Sequence, residues 1–110
     1  MAPIGIAILS ALLLAVSAGV NAGSHGKSVY ERTCVACHGA DGKGTLPGVP
    51  PLGGGNGRLA KPDDVLIKNM LEGFQSPGST LAMPPKGGDP SLTAEDAKAV
   101  LDYMRKTFGR

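Results

Sequence analysis

The chain has 110 residues, with 11 Lys and Arg against 9 Asp and Glu for a formal charge of +2. So mild an excess, gathered into no basic stripe, argues against a nucleic-acid-binding surface. There is no Trp, and two Phe and two Tyr stand beside 17 Gly and 9 Pro; so small a domain with so few large apolar side chains does not fill its own centre, which points to a staple such as a metal, a disulfide or a bulky cofactor.

Residues 1–22 carry no charged side chain, and the apolar run from Ile4 to Val20 closes on small residues. Val20-Asn21-Ala22 suits a signal peptidase, with Val16-Ser17-Ala18 as a second site. No Lys or Arg precedes Ile4, which departs from the usual signal pattern. The expectation is a cleaved export segment over 1–22 and a periplasmic mature protein, with an uncleaved membrane anchor as the alternative. Residues 23–110 then form one small domain.

Ser24 to Thr33 reads as a short helix running into the cysteines, with Val29, Tyr30 and Thr33 at helical spacing and Ser28-x-x-Glu31 as a capping box. Gly39 to Gly57 is too rich in Gly and Pro for regular structure. Pro62 opens a second helix where its missing N–H costs nothing, and Asp63 and Asp64 suit the positive end of the helix dipole. Ile67, Met70, Leu71 and Phe74 mark its apolar face, and Gly73 ends it. Gln75 to Pro90 is a second irregular stretch, containing Met83-Pro84-Pro85. Thr93 caps a last helix with the stripe Ala97, Val100, Leu101, Met104 and Phe108. The class is all-α, with helices joined by long loops. Loops this long in so small a domain belong where they serve a site.

Cys34-Val35-Ala36-Cys37-His38 is the Cys-x-x-Cys-His signature of covalent haem attachment. Two thiols on one turn of chain reach the two vinyl groups on one side of a porphyrin, and the next residue then sits beneath the iron. Cys34 and Cys37 are the expected thioethers and His38 the expected axial ligand. A thioredoxin-like redox pair needs a preceding strand, which this chain lacks. A zinc site built from Cys34, Cys37, His38 and His25 puts adjacent Cys and His in one tetrahedron, an awkward geometry. His25 itself is expected to be an exposed polar residue.

For the sixth iron ligand, Met70 and Met104 lie on apolar helical faces, where Met ordinarily fills the core. Met83 lies in a loop stiffened by two prolines and is the expected ligand. His/Met ligation leaves no open iron position, which favours electron transfer over oxygen or peroxide chemistry.

GKSVYERTCVACHGADGKG, VPPLGG, LAMPPKGGDPSLT and AVLDYM together resemble the class I c-type cytochromes, and among them the small bacterial cytochrome c5-like group, over Gly26 to Phe108. The second cysteine pair common in that group is absent. The resemblance implies three to four helices wrapped around one haem c, with the first and last helices packed together. It also implies that the Pro50 carbonyl accepts a hydrogen bond from the His38 ring, with Pro47 and Pro51 as alternatives. Such a bond would fix the imidazole and tune the iron. The function expected is one-electron transfer in a periplasmic respiratory or dehydrogenase-linked chain, without catalysis of its own. The chain would act as a mobile carrier between a dehydrogenase or membrane respiratory complex and an acceptor, or alternatively as a bound haem c subunit of a periplasmic dehydrogenase. Lys43 and Lys86, close in sequence to His38 and Met83, are expected to rim the haem edge and meet an acidic partner.

Overall fold

A computed structural model describes residues 2–5 and 22–110. Apart from residues 2–5 and Ala22, the expected export segment and its cleavage sites lie outside the described residues. No helix among the described residues is long and apolar enough to cross a membrane. The elements are α1 (Ala22–Val29), a π-helical turn (Tyr30–Cys34), α2 (Val35–His38), α3 (Asp63–Glu72), a 3-10 turn (Pro85–Gly88) and α4 (Ala94–Phe108). Among the described residues there is no strand, only one isolated antiparallel bridge between Phe74 and Met83.

The first helix is longer than the sequence pattern suggests, because α1, the π-turn and α2 are continuous from Ala22 to His38. The Val35 N–H donates to the Tyr30 carbonyl, five residues back, which is the signature of a π-bulge. The wider turn advances the phase of the helix. Tyr30 thereby packs toward α4, while Cys34, Cys37 and His38 line a cavity. Ser28 falls inside the helix, so the expected capping box with Glu31 is not formed.

The long first helix crosses α4 at Gly26. A Cβ there would lie 2.9 Å from the Tyr103 Cβ and closer still to the Ala99 carbonyl oxygen, so only glycine allows this approach. Around the crossing, Val29, Tyr30, Val100, Leu101 and Met104 form the buried core with Leu59 and Leu92. The Tyr30 ring centre lies 5.5 Å from Tyr103 and 5.4 Å from Phe108 in tilted contacts, a favoured aromatic geometry.

α4 starts as its sequence dictates. The Thr93 hydroxyl accepts from the Asp96 N–H and the Asp96 carboxylate accepts from the Thr93 N–H, a complete capping box. Asp96 also meets His25 Nε2 at 2.8 Å. His25 is therefore half-buried and paired across α1 and α4, rather than the free surface residue expected. α3 begins directly after Pro62 with Asp63 and Asp64 in its first turn and ends at Gly73 with φ +86.

Candidate functional site

His38 ends α2, and the chain reverses immediately. Gly39 takes φ +81, a conformation that a side chain resists. The loop then folds back onto the helix end: Gly44 N–H donates to the His38 carbonyl and Thr45 N–H to the Cys37 carbonyl, at 2.8 and 2.9 Å. The Thr45 hydroxyl donates to the Ala36 carbonyl at 2.6 Å, and the Tyr30 hydroxyl to the Gly39 carbonyl at 2.5 Å. The last-turn carbonyls that a helix leaves unsatisfied are thus taken up, and the motif is held rigidly.

Met83 is positioned from the other side. Phe74 N–H donates to the Met83 carbonyl at 3.0 Å and Met83 N–H to the Phe74 carbonyl at 2.8 Å, closing the 74–83 loop. Downstream, the Asp89 carboxylate accepts from the Thr33 hydroxyl at 3.2 Å and from Arg32 at 3.3 Å. The methionine loop is therefore fastened to α3 at one end and to the π-turn, beside Cys34, at the other.

Between these two anchors lies an open cavity of about 310 Å3. The structure brings Cys34, Cys37, His38, Pro50, Met83, Met70 and Met104 to its lining, with apolar wall from Val49, Leu52, Leu59 and Leu66. The three methionines differ in setting: Met104 belongs to the buried core and Met70 packs against it, while Met83 does neither. Both cysteines are free thiols. Burial, more than any neighbour, pushes the Cys34 thiol up to about 11, with Arg32 pulling the other way. Burial also lowers the basicity of His38, which keeps the ring neutral and its nitrogen lone pair available.

His38 Nδ1 is buried without a hydrogen-bond partner among the described residues. The bond expected from the His38 ring to the Pro50 carbonyl is not made here, although Pro50 shares the cavity wall. The Pro51 carbonyl is already engaged, accepting from the Asn56 side chain at 2.7 Å. His25 is not part of the lining and spends its imidazole on Asp96, which leaves the zinc alternative without its fourth ligand.

The cations at the cavity are not those expected. Lys43 lies on a separate groove with Asp41, Pro51, Thr107 and Phe108, and Lys86 Nζ donates to the Pro90 carbonyl at 3.5 Å. Arg58 and Lys61 line the cavity instead, together with Asn69 and without any acidic side chain. Among the described residues neither cation pairs with a carboxylate; Lys61 Nζ lies 5.3 Å from the centre of the Phe74 ring. Spacing from His38 or Met83 along the chain gave no access to either residue.

These residues fit a covalent haem. Two thiols and a neutral imidazole stand together on one wall, a thioether stands on the methionine loop, the space between is apolar, and two unpaired cations face it for the haem carboxylates. When bound, the haem supplies a reversible one-electron change at iron. Cys34 and Cys37 would attach it, His38 and Met83 would orient it, and the apolar wall would exclude water.

Comparison with known proteins agrees. Residues 21–104 match the family described as cytochrome c oxidase, cbb3-type, subunit III. The chain is 33% identical over 86 residues to cytochrome c-555 of Prosthecochloris aestuarii, covering 74% of this chain and 83% of that protein. It is 36% identical over 92 residues to the fructose dehydrogenase cytochrome subunit of Gluconobacter japonicus, covering 76% of this chain and 18% of that one. Cytochrome cL from the marine methylotroph Methylophaga aminisulfidivorans superimposes with a TM-score of 0.61 at 22% identity. That match covers 83% of this chain and 56% of the larger structure, and at this identity it speaks for the fold alone.

Proposed function

The chain belongs to the class I c-type cytochromes, and we propose that within them it is an exported, periplasmic carrier moving single electrons between a dehydrogenase and an acceptor. That it is a monohaem electron-transfer protein rather than a catalyst follows from the family. In the finer reading, Cys34 and Cys37 form the thioethers and His38 and Met83 ligate the iron on its two faces. The observation that carries it is the convergence of these four side chains on one apolar cavity. Export is supported by the uncharged, apolar residues 1–22, which close on small residues.

The docking surface proposed is the cavity mouth. Leu46, Phe74 and Leu81 line it, and Arg58 and Lys61 stand among them. An apolar rim with unpaired cations suits a redox partner carrying acidic groups around an apolar centre. A second reading is a haem subunit held by a dehydrogenase, which the match to part of the fructose dehydrogenase cytochrome subunit favours. Gel filtration of native extract separates the two, since a carrier migrates alone and a subunit with its enzyme.

Replacing Met83 by Ala tests the ligand set. The weak sulfur–iron charge-transfer band of the oxidised protein should vanish, the potential should fall, and cyanide should bind readily, because one axial position is opened. An unchanged band would pass the role to Met70 or Met104.

A further inference from the structure

Arg105 lies in the last turn of α4, and its side chain is only 10% exposed. Its guanidinium reaches a single stretch of chain 42–46 residues earlier. Nε donates to the Leu59 carbonyl and an Nη to the Lys61 carbonyl, each at 2.9 Å, while the other Nη pairs with the Asp63 carboxylate. Three donors in one plane fix the path of residues 59–63 in a way that a flexible ammonium does not reproduce. The segment so held begins next to Arg58, contains Lys61 and enters α3, and it is the segment that brings both cations to the cavity. Lys61 in turn lies over Phe74, the bridge partner of Met83.

We propose that Arg105 is a positioning residue: through the Leu59 and Lys61 carbonyls it holds Arg58 and Lys61 against the haem cavity, where their charge favours the reduced haem. The inference rests on the haem reading above. Oxidised haem carries one more positive charge than reduced haem, so nearby cations raise the reduction potential and their removal lowers it. The protein lining offers no carboxylate of its own to cancel them, so they offset only the haem's own carboxylates, and removing them still lowers the potential.

The test is spectroelectrochemistry of the haem-loaded full chain in two backgrounds, the parent and the double variant Arg58→Gln/Lys61→Gln. The double variant is expected to lower the potential, changing the reduction equilibrium by up to about tenfold per charge lost. Arg105→Lys retains its charge but not the fork. It should lower the potential in the parent background and leave it unmoved in the double variant, the non-additivity of residues acting through one another. If Arg105→Lys does not load haem, Asp63→Glu keeps the charge, displaces one arm of the fork and carries the same comparison. The proposal is overturned if the double variant matches the parent potential, or if the fork variant shifts both backgrounds equally. A parent protein that binds no haem c would instead defeat the haem reading, and the parent spectrum reports that separately.

Discussion

Replacing Gly26 by Ala sets two effects of opposite sign against each other. Alanine is the better helix former by about 1 kcal/mol, so on propensity alone the variant should be more stable. The crossing with α4 says otherwise. The new Cβ would sit 2.9 Å from the Tyr103 Cβ and nearer still to the Ala99 carbonyl oxygen, where carbon contacts are comfortable only at roughly 3.5–4.0 Å. The obstacle is largely backbone, which cannot rotate away, so the helices must part by about 0.5–1 Å. A gap of that size forfeits roughly a quarter to a half of each contact's dispersion energy, and it opens beside Val29, Tyr30, Val100 and Leu101, the largest fully buried side chains. With backbone as the obstacle the overpacking cost belongs in the upper part of the usual range, about 2–3 kcal/mol, and after alanine's advantage a loss of about 1–2 kcal/mol remains. For a domain of this size that lowers Tm by roughly 4–16 °C. Thermal and guanidinium unfolding of the haem-loaded protein, followed by far-UV circular dichroism, reads it directly. A variant as stable as the parent, or more so, would refute the close crossing.

Two further predictions follow from the same contacts. Burial first, then Cys34, Tyr103 and Asp41, push the Tyr30 phenol up to about 12. The folded state thus favours the neutral form, so this contribution is complete below the ordinary value near 10 and is lost as pH rises through 12. It amounts to at most about 2.7 kcal/mol at 1.36 kcal/mol per unit. Tyr30→Phe should lack this component of alkaline destabilisation, and denaturant titrations between pH 9 and 12 with the same slope in both proteins would contradict it. Gly73→Ala forces a side chain into φ +86, with its Cβ 2.9 Å from the Met83 carbonyl oxygen. It should cost about 1–3 kcal/mol of stability and weaken the sulfur–iron band, whereas an unaltered spectrum would separate Gly73 from the seat of Met83.

What the sequence disclosed and what it hid divide along physical lines. The attachment motif is contiguous, and Ile67 and Met70 of α3 and the stripe of α4 obey a helical period, so both can be read locally; Phe74, expected on the α3 face, lies beyond the helix and pairs with Met83 instead. Pro62 and Thr93 mark helix starts by chemistry that acts within a turn. The continuity of α1 into α2 was not legible, because a π-turn breaks the period that would reveal it. Nor was the seat of Met83: two prolines stiffen the loop, yet its placement depends on pairing with Phe74, which no pattern encodes. The rim cations were misassigned for a related reason. Lys43 is near His38 in sequence, but the backbone bonds from Gly44 and Thr45 to the helix end fold that loop toward Phe108 and away from the cavity. Arg58 and Lys61 arrive from far along the chain, drawn in by Arg105, and long-range hydrogen bonds leave no periodic trace.

The central claim is a haem covalently held by Cys34 and Cys37, and an alkaline pyridine spectrum tests it most directly. The purified protein is first denatured and extracted with acid–acetone. The colour should stay with the polypeptide and give the haem c spectrum, while Cys34→Ala/Cys37→Ala should yield a colourless chain. A parent protein whose colour passes into the acetone, or one that never carried any, would contradict it.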